Sequence, residues 1–255
     1  MTAEPVIVVV RDADLLAELV AARLLTRLVD AQARRGTASL VLSGGTIVIA
    51  TLAAVSRSPA RAAVDWRQVD LWWADERYVA ADDPDRNEHQ ARQALLNILD
   101  LDPSRVHPIG ARGGPDGDDV DAAAERYADE LTEAAPADLD APTFDVVLLG
   151  MGPEGHTASI FPESAAAHDE RLVFGVRRCP KPPSTRVSLG FAALNGAHEV
   201  WLIVAGPEKA GAVALALSGA GRVQIPAAGV RGHVATMWLL DEAAASELPR
   251  ELRRR

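Results

Sequence analysis

One cysteine, Cys179, in 255 residues excludes an internal disulfide. A lone thiol fits a reducing compartment, and with no catalytic signature around it Cys179 reads as structural or incidental. Aromatic residues make up only 4% of the chain, although five are tryptophans and two of these adjoin as Trp72-Trp73. The apolar run near the N-terminus, VIVVV, is far too short for a signal segment or for the roughly 20 residues of a membrane span. Positive charge is also in short supply. Lys and Arg number 26 against 36 Asp and Glu, for a net charge of -10 and a pI near 5.1. Binding a nucleic-acid backbone takes a strongly basic face, so no nucleic-acid partner is expected. A small anion needs only a few local cations and stays open as a ligand. A soluble, cytoplasmic protein without membrane association is the expectation.

Several signatures are missing as well. No G-x-x-x-x-G-K-[ST] phosphate loop, G-x-S-x-G elbow or H-E-x-x-H zinc motif occurs. His89, His107, His168, His198 and His233 show no metal-ligand spacing, and neither a metal nor a cofactor is expected.

What remains is an ordinary globular composition, 48% hydrophobic. Short β-branched runs alternate with Ala/Leu/Arg-rich segments. Strands are predicted over 6–10, 39–42, 69–73, 106–109, 144–149, 172–176, 187–189, 200–204 and 236–240. Helices are predicted from Asp12, as N-cap, to Arg35 with Gly36 as the stop, and over 47–55, 87–99, 118–134, 207–217 and 242–248. Such alternation implies an α/β fold: a Rossmann-like, mostly parallel sheet with helices on both faces, in one domain spanning 1–255. The segment ARGGPDGDD reads as an exposed loop.

Open parallel sheets bind ligands beyond the carboxyl ends of their strands, so the residues that follow each strand carry the functional information. Ser43-Gly44-Gly45-Thr46 fits either an anion-binding turn at a helix N-terminus or a plain tight turn with a threonine cap. Asp75-Glu76-Arg77 could supply an acid and a cation, or form a solvated charged turn. Lys181 and Arg186 flank the stiff pair Pro182-Pro183, which fits two cations at fixed separation or a basic surface loop. Lys209 lies near a helix start, where the dipole disfavours a cation unless an anion is bound there.

The stretch VLLGMGPEGHTASIFP, residues 147–162, contains G-x-G-x-x-G after an apolar strand, the fingerprint of a dinucleotide turn. That reading needs a sustained helix after Gly155, yet Pro162 interrupts within two turns. It also needs an acid closing the next strand, whereas Glu170 precedes that strand. His156 is poorly explained as a core residue. Its ordinary pKa near 6.5 suits a base around neutrality, with a capping or supporting hydrogen-bond role as the alternative.

Taken in order, LSGGT at 42–46, WWADERYV at 72–79 with Asn87 after it, LLGMGPEGHTASIFP at 148–162, KPPSTRVSL at 181–189 and EVWLIVAGPEKA at 199–210 resemble the 6-phosphogluconolactonases. These belong to a larger group with the glucosamine-6-phosphate isomerase/deaminases. G-H-T-A-S-x-F-P is the most specific block, since the deaminases tend to carry G-H-I-A-F-N-E-P there and D-E-Y for Asp75-Glu76-Arg77. The resemblance implies hydrolysis of 6-phospho-D-glucono-1,5-lactone, a sugar-phosphate lactone, in the pentose phosphate pathway. On it, His156 is the general base, and Ser43, Gly44, Gly45, Thr46 and Lys209 hold phosphate. Arg77 and Arg186 meet substrate oxygens and the developing oxyanion, Lys181 belongs to the substrate-binding set, and Asp75 orients a hydroxyl or a cation. A monomer is allowed. An amino-sugar-phosphate isomerase/deaminase and a non-catalytic sugar-phosphate-binding regulator are the alternatives. Two departures stand out: Ile47-Val48 replace the usual proline after S-G-G-[ST], and Glu154 replaces an aspartate.

Overall fold

Local signals set the first helix. In the computed structural model, which describes residues 4–249 and 251–252, helix α1 (Ala13–Arg35) opens where Asp12 accepts a hydrogen bond from the Leu15 N–H. It closes at Gly36, whose φ of 79° is left-handed. Its buried face, including Leu16, Val20, Leu24 and Leu28, repeats at helical spacing. The other helices are α2 (Thr46–Arg57), α3 (Asn87–Ala94), α4 (Val120–Ala134), α5 (Phe191–Leu194) and α6 (Ala210–Leu217). Pro207 opens a short 3-10 turn ahead of α6. Residues 242–247, expected to be helical, form successive turns instead. Ala244, Ala245 and Leu248 are all buried there, and Pro249 follows at once, which leaves no length for a regular helix.

Among the described residues, ten strands form two sheets. They are β1 (Val6–Val10), β2 (Ala38–Leu42), β3 (Val69–Trp73), β4 (Asp75–Arg77), β5 (Val106–His107), β6 (Val146–Gly150), β7 (Val173–Val176), β8 (Arg186–Leu189), β9 (Glu199–Val204) and β10 (Ala235–Asp241). Seven make a wholly parallel sheet in the order β1-β10-β9-β6-β2-β3-β5. Helices cover both faces: α1 and α2 pack side by side against it, while α4 reaches it through Tyr127, whose hydroxyl accepts from the Trp73 N–H at 2.8 Å. The central strands are nearly all apolar, as expected for strands buried on both sides.

The strands at 173–176 and 186–189 correct the expectation of one continuous series. They join β4 in a separate antiparallel sheet of order β4-β8-β7. Ala74 is the point of divergence: its N–H still bonds Leu42 O of the main sheet, while its carbonyl receives the Leu189 N–H. The chain therefore leaves the main sheet immediately before Asp75-Glu76-Arg77. As a result, β4 and β8 stand over the carboxyl ends of the main strands.

Candidate active site

Four adjacent strands, β9, β6, β2 and β3, end on one rim of the sheet. The segments that follow them enclose, with the β7–β8 loop, a cavity of about 310 Å³. All ten residues singled out from sequence line it: Ser43, Gly44, Gly45, Thr46, Asp75, Arg77, His156, Lys181, Arg186 and Lys209. Four cations and one carboxylate face this space in a protein of net charge -10. Only two of the 26 basic residues are lysines, and both line the cavity. That bias was a legible signal in the sequence.

The turn after β2 leaves donors open. Gly45, with φ of 107°, is the N-cap of α2, and no side chain caps that helix. The first intrahelical bond is Ile49 N–H to Gly45 O, so the N–H groups of Thr46, Ile47 and Val48 have no acceptor within the helix. Ile47 and Val48 each retain an N–H that proline would lack, and Ile47 itself lines the cavity. No acidic residue sits in this first turn, so the open N–H groups and the dipole there favour an anion. Gly44 is required for another reason: a Cβ there would overlap the Asn87 side chain.

His156 stands at the end of the turn that follows β6. No helix follows Gly155; residues 153–160 are turns with one isolated bridge, Thr157 to Ile160, so the dinucleotide architecture is not formed. Gly152 N–H bonds His156 O at 3.0 Å, and Gly155, with φ of 88°, lies where a Cβ would press within 2.8 Å of Ile225. The imidazole stacks on Phe161 with ring centroids 4.4 Å apart. Its Nδ1 is buried, 3.1 Å from Glu154 Oε1 but without an aligned hydrogen bond, so Nε2 is the nitrogen open to the cavity. Desolvation lowers the His156 pKa below 6.5; the Lys181 ammonium adds to this, and the Glu154 and Asp75 carboxylates oppose it. Burial works against ionisation of Glu154 too. A bond from its own backbone, Lys181 Nζ at 3.0 Å and the nearby imidazole outweigh that and hold its carboxyl below the usual range.

Arg77 of β4 and Arg186 of β8 are cross-strand partners. Like charges so placed repel unless each is neutralised. Arg77 Nη1 donates to Asp85 O and Asn87 Oδ1, both at 2.6 Å, but its buried Nε has no partner. Arg186 is buried, donates to Pro183 O and Lys181 O, and lies 3.9 Å from Asp75. Asp75 is held by Ser159 Oγ at 2.7 Å and by Asn87 Nδ2 at 3.2 Å. Lys209, mostly covered, lies no nearer than 3.9 Å to its neighbour Glu208. Cys179 lies outside the cavity lining, and burial pushes its thiol up, against a nucleophilic role.

The family model described as glucosamine-6-phosphate isomerases/6-phosphogluconolactonase matches residues 11–238. The chain belongs to this family. A 6-phosphogluconolactonase of Streptomyces coelicolor is 55% identical over 255 residues, covering 99% of this chain and 98% of that protein. One of Mycobacterium tuberculosis is 47% identical over 239 residues, 93% of this chain and 96% of that one. Among solved structures, the 6-phosphogluconolactonase of Trypanosoma brucei matches with a TM-score of 0.79 at 28% identity, covering 96% of this chain and 99% of that one.

Within this family fold, three residues quoted within or beside the motifs, but given no role by them, also contribute. Asn87 lines the cavity and bonds both Asp75 and Arg77. Ser159, fully buried, fixes Asp75. Glu76, also buried, accepts from the Arg77, Asn87 and Glu88 N–H groups. Desolvation pushes the Glu76 carboxyl up to about 7, against the pull of Arg86 and those three N–H groups. None of the three could be assigned from its own neighbours in sequence, because each acts on partners in other elements.

Proposed function

We propose that this protein hydrolyses 6-phospho-D-glucono-1,5-lactone to 6-phosphogluconate, with His156 as general base. The carrying observation is the His156 imidazole, whose Nε2 opens into a cavity that has four cations and an uncapped helix N-terminus, with burial lowering its pKa. Phosphate fits the 43–46 turn, where three backbone N–H groups and Lys209 supply donors. The phosphate also relieves the placement of Lys209 ahead of α6. Water attacks the lactone carbonyl carbon as His156 Nε2 takes its proton, and the carbonyl oxygen becomes an oxyanion. The Arg77 guanidinium, with Arg186 beside it, is the donor set for that charge. Collapse breaks the bond to the ring oxygen, and the imidazolium returns the proton to that leaving oxygen. Lactone opening by the purified protein, above the spontaneous rate, is the test; ammonia release from glucosamine 6-phosphate would instead favour the isomerase side of the family.

The base must be unprotonated, so kcat/KM rises with pH and levels off. Because burial depresses the His156 pKa, the acid limb lies below pH 6.5. Glu154→Gln removes an attraction for the imidazolium and moves that limb to lower pH. Lys181→Met removes a repulsion and frees Glu154, and moves it to higher pH. Limbs that stay in place or move the other way, in pH profiles corrected for spontaneous opening, would remove His156 as the titrating base.

Lys209→Ala is expected to raise KM with little change in kcat, because a phosphate contact binds substrate and transition state alike. Inorganic phosphate should also inhibit that variant more weakly. A fall in kcat with KM unchanged would assign Lys209 to the reacting end.

A further inference from the structure

Glu76 is buried, at 1% exposure, and does not line the cavity. Even so, it organises the part of the cavity wall that carries Arg77 and Asn87. Helix α3 begins at Asn87, and Arg86 in the N-cap position offers no side-chain cap. Its first donors are instead met from a distant strand: Glu76 Oε1 accepts from Asn87 N–H at 2.7 Å, and Oε2 from Glu88 N–H at 2.9 Å. The same Oε1 accepts from Arg77 N–H at 2.8 Å. One carboxylate thus ties β4 to the start of α3, with Arg86 Nη2 3.7 Å away as counter-charge.

The consequence reaches the cavity through Asn87. Its Oδ1 receives Arg77 Nη1 at 2.6 Å, and its Nδ2 donates to Asp75 O at 2.7 Å. It also fills the space that leaves Gly44 no room for a Cβ. We propose that Glu76 is a positioning residue for the reaction: by capping α3 from β4 it sets Asn87, and through Asn87 it aims the Arg77 guanidinium at the developing oxyanion. A carboxylate suits this role because three N–H donors converge on two acceptor oxygens, and a carboxamide offers only one.

Glu76→Gln tests this. Folded Glu76→Gln protein should lose about 100-fold in kcat/KM, mostly in kcat, as expected for a displaced catalytic group. Glu76→Gln/Asn87→Ala should be no slower than Asn87→Ala alone, since both act through one contact. The Arg77 Nε–H resonance, identified by its loss in Arg77→Lys, should exchange faster with solvent in Glu76→Gln. A lowered melting temperature with unchanged kcat/KM and unchanged Arg77 exchange would make Glu76 merely structural and overturn the proposal, as would additive losses in the double variant. If Glu76→Gln does not fold, Glu76→Asp keeps the charge on a shorter stem and should show the same changes in smaller degree; wild-type behaviour there overturns it. The kinetic arm rests on the lactonase reading. Wild-type protein that opens no lactone sinks that reading, while the Arg77 exchange measurement still decides the role of Glu76.

Discussion

His156→Ala is expected to lower kcat for lactone opening by about 10²- to 10⁴-fold, the usual contribution of a positioned general base. KM should change little, because the phosphate turn and its cations lie on other elements. The residual rate should still exceed the spontaneous one, since Arg77 and Arg186 remain to meet the oxyanion. The fold should survive: the ring contacts Phe161 and faces the cavity, and the main sheet does not depend on it. The comparison to make is kcat and KM of both proteins at a pH above the acid limb, with melting temperatures alongside. A variant as fast as the wild type would end the assignment of His156, though not that of the substrate.

Gly152→Ala should be nearly as damaging without removing any functional group. A Cβ on Gly152 would overlap Cε1 and Nδ1 of His156 and crowd Glu154 Oε2. Phe161 stacks on the imidazole, so the ring cannot yield without losing that contact. Gly152 itself is not among the left-handed glycines, so the backbone tolerates alanine and the effect falls on the ring. Displacing a catalytic group by about 1 Å costs on the order of 100-fold. The expected result is a loss in kcat of that size with a melting temperature near the wild-type value. A high-resolution structure of the variant should show His156 in a different rotamer. Full activity would mean that the ring position seen here is not the one that reacts.

These two variants show why the fingerprint-like turn at 147–162 misleads. Gly150, Gly152 and Gly155 have the dinucleotide spacing, but in space Gly152 makes room for a histidine and Gly155 for Ile225, while Gly150 has only ordinary contacts around it. Spacing alone cannot distinguish a backbone that approaches a pyrophosphate from one that clears a side chain. Pro162 and the position of Glu170 carried the information that decided it, and no helix follows.

Interactions between near neighbours were legible in the sequence. The Asp12 cap and the Gly36 stop of α1 rest on contacts within four residues. So did the apolar strands, and the polar or glycine-rich segments placed immediately beyond them. The ten candidate residues follow from that rule together with the family resemblance. Pairing between distant segments was hidden. β4 meets β8 across more than a hundred residues, and an isolated run such as RVSL carries no mark of the sheet it will join. The depressed His156 pKa comes from burial and from Lys181, which the β7–β8 loop brings beside Glu154. Glu76 caps a helix that begins eleven positions later in the chain, and Ser159 holds an aspartate from β4. Local hydrogen bonding and hydrophobic period thus determined the elements and the chemistry at their ends. Tertiary structure alone decided which of those ends face one another, because proximity through space depends on strand order, which no local pattern encodes.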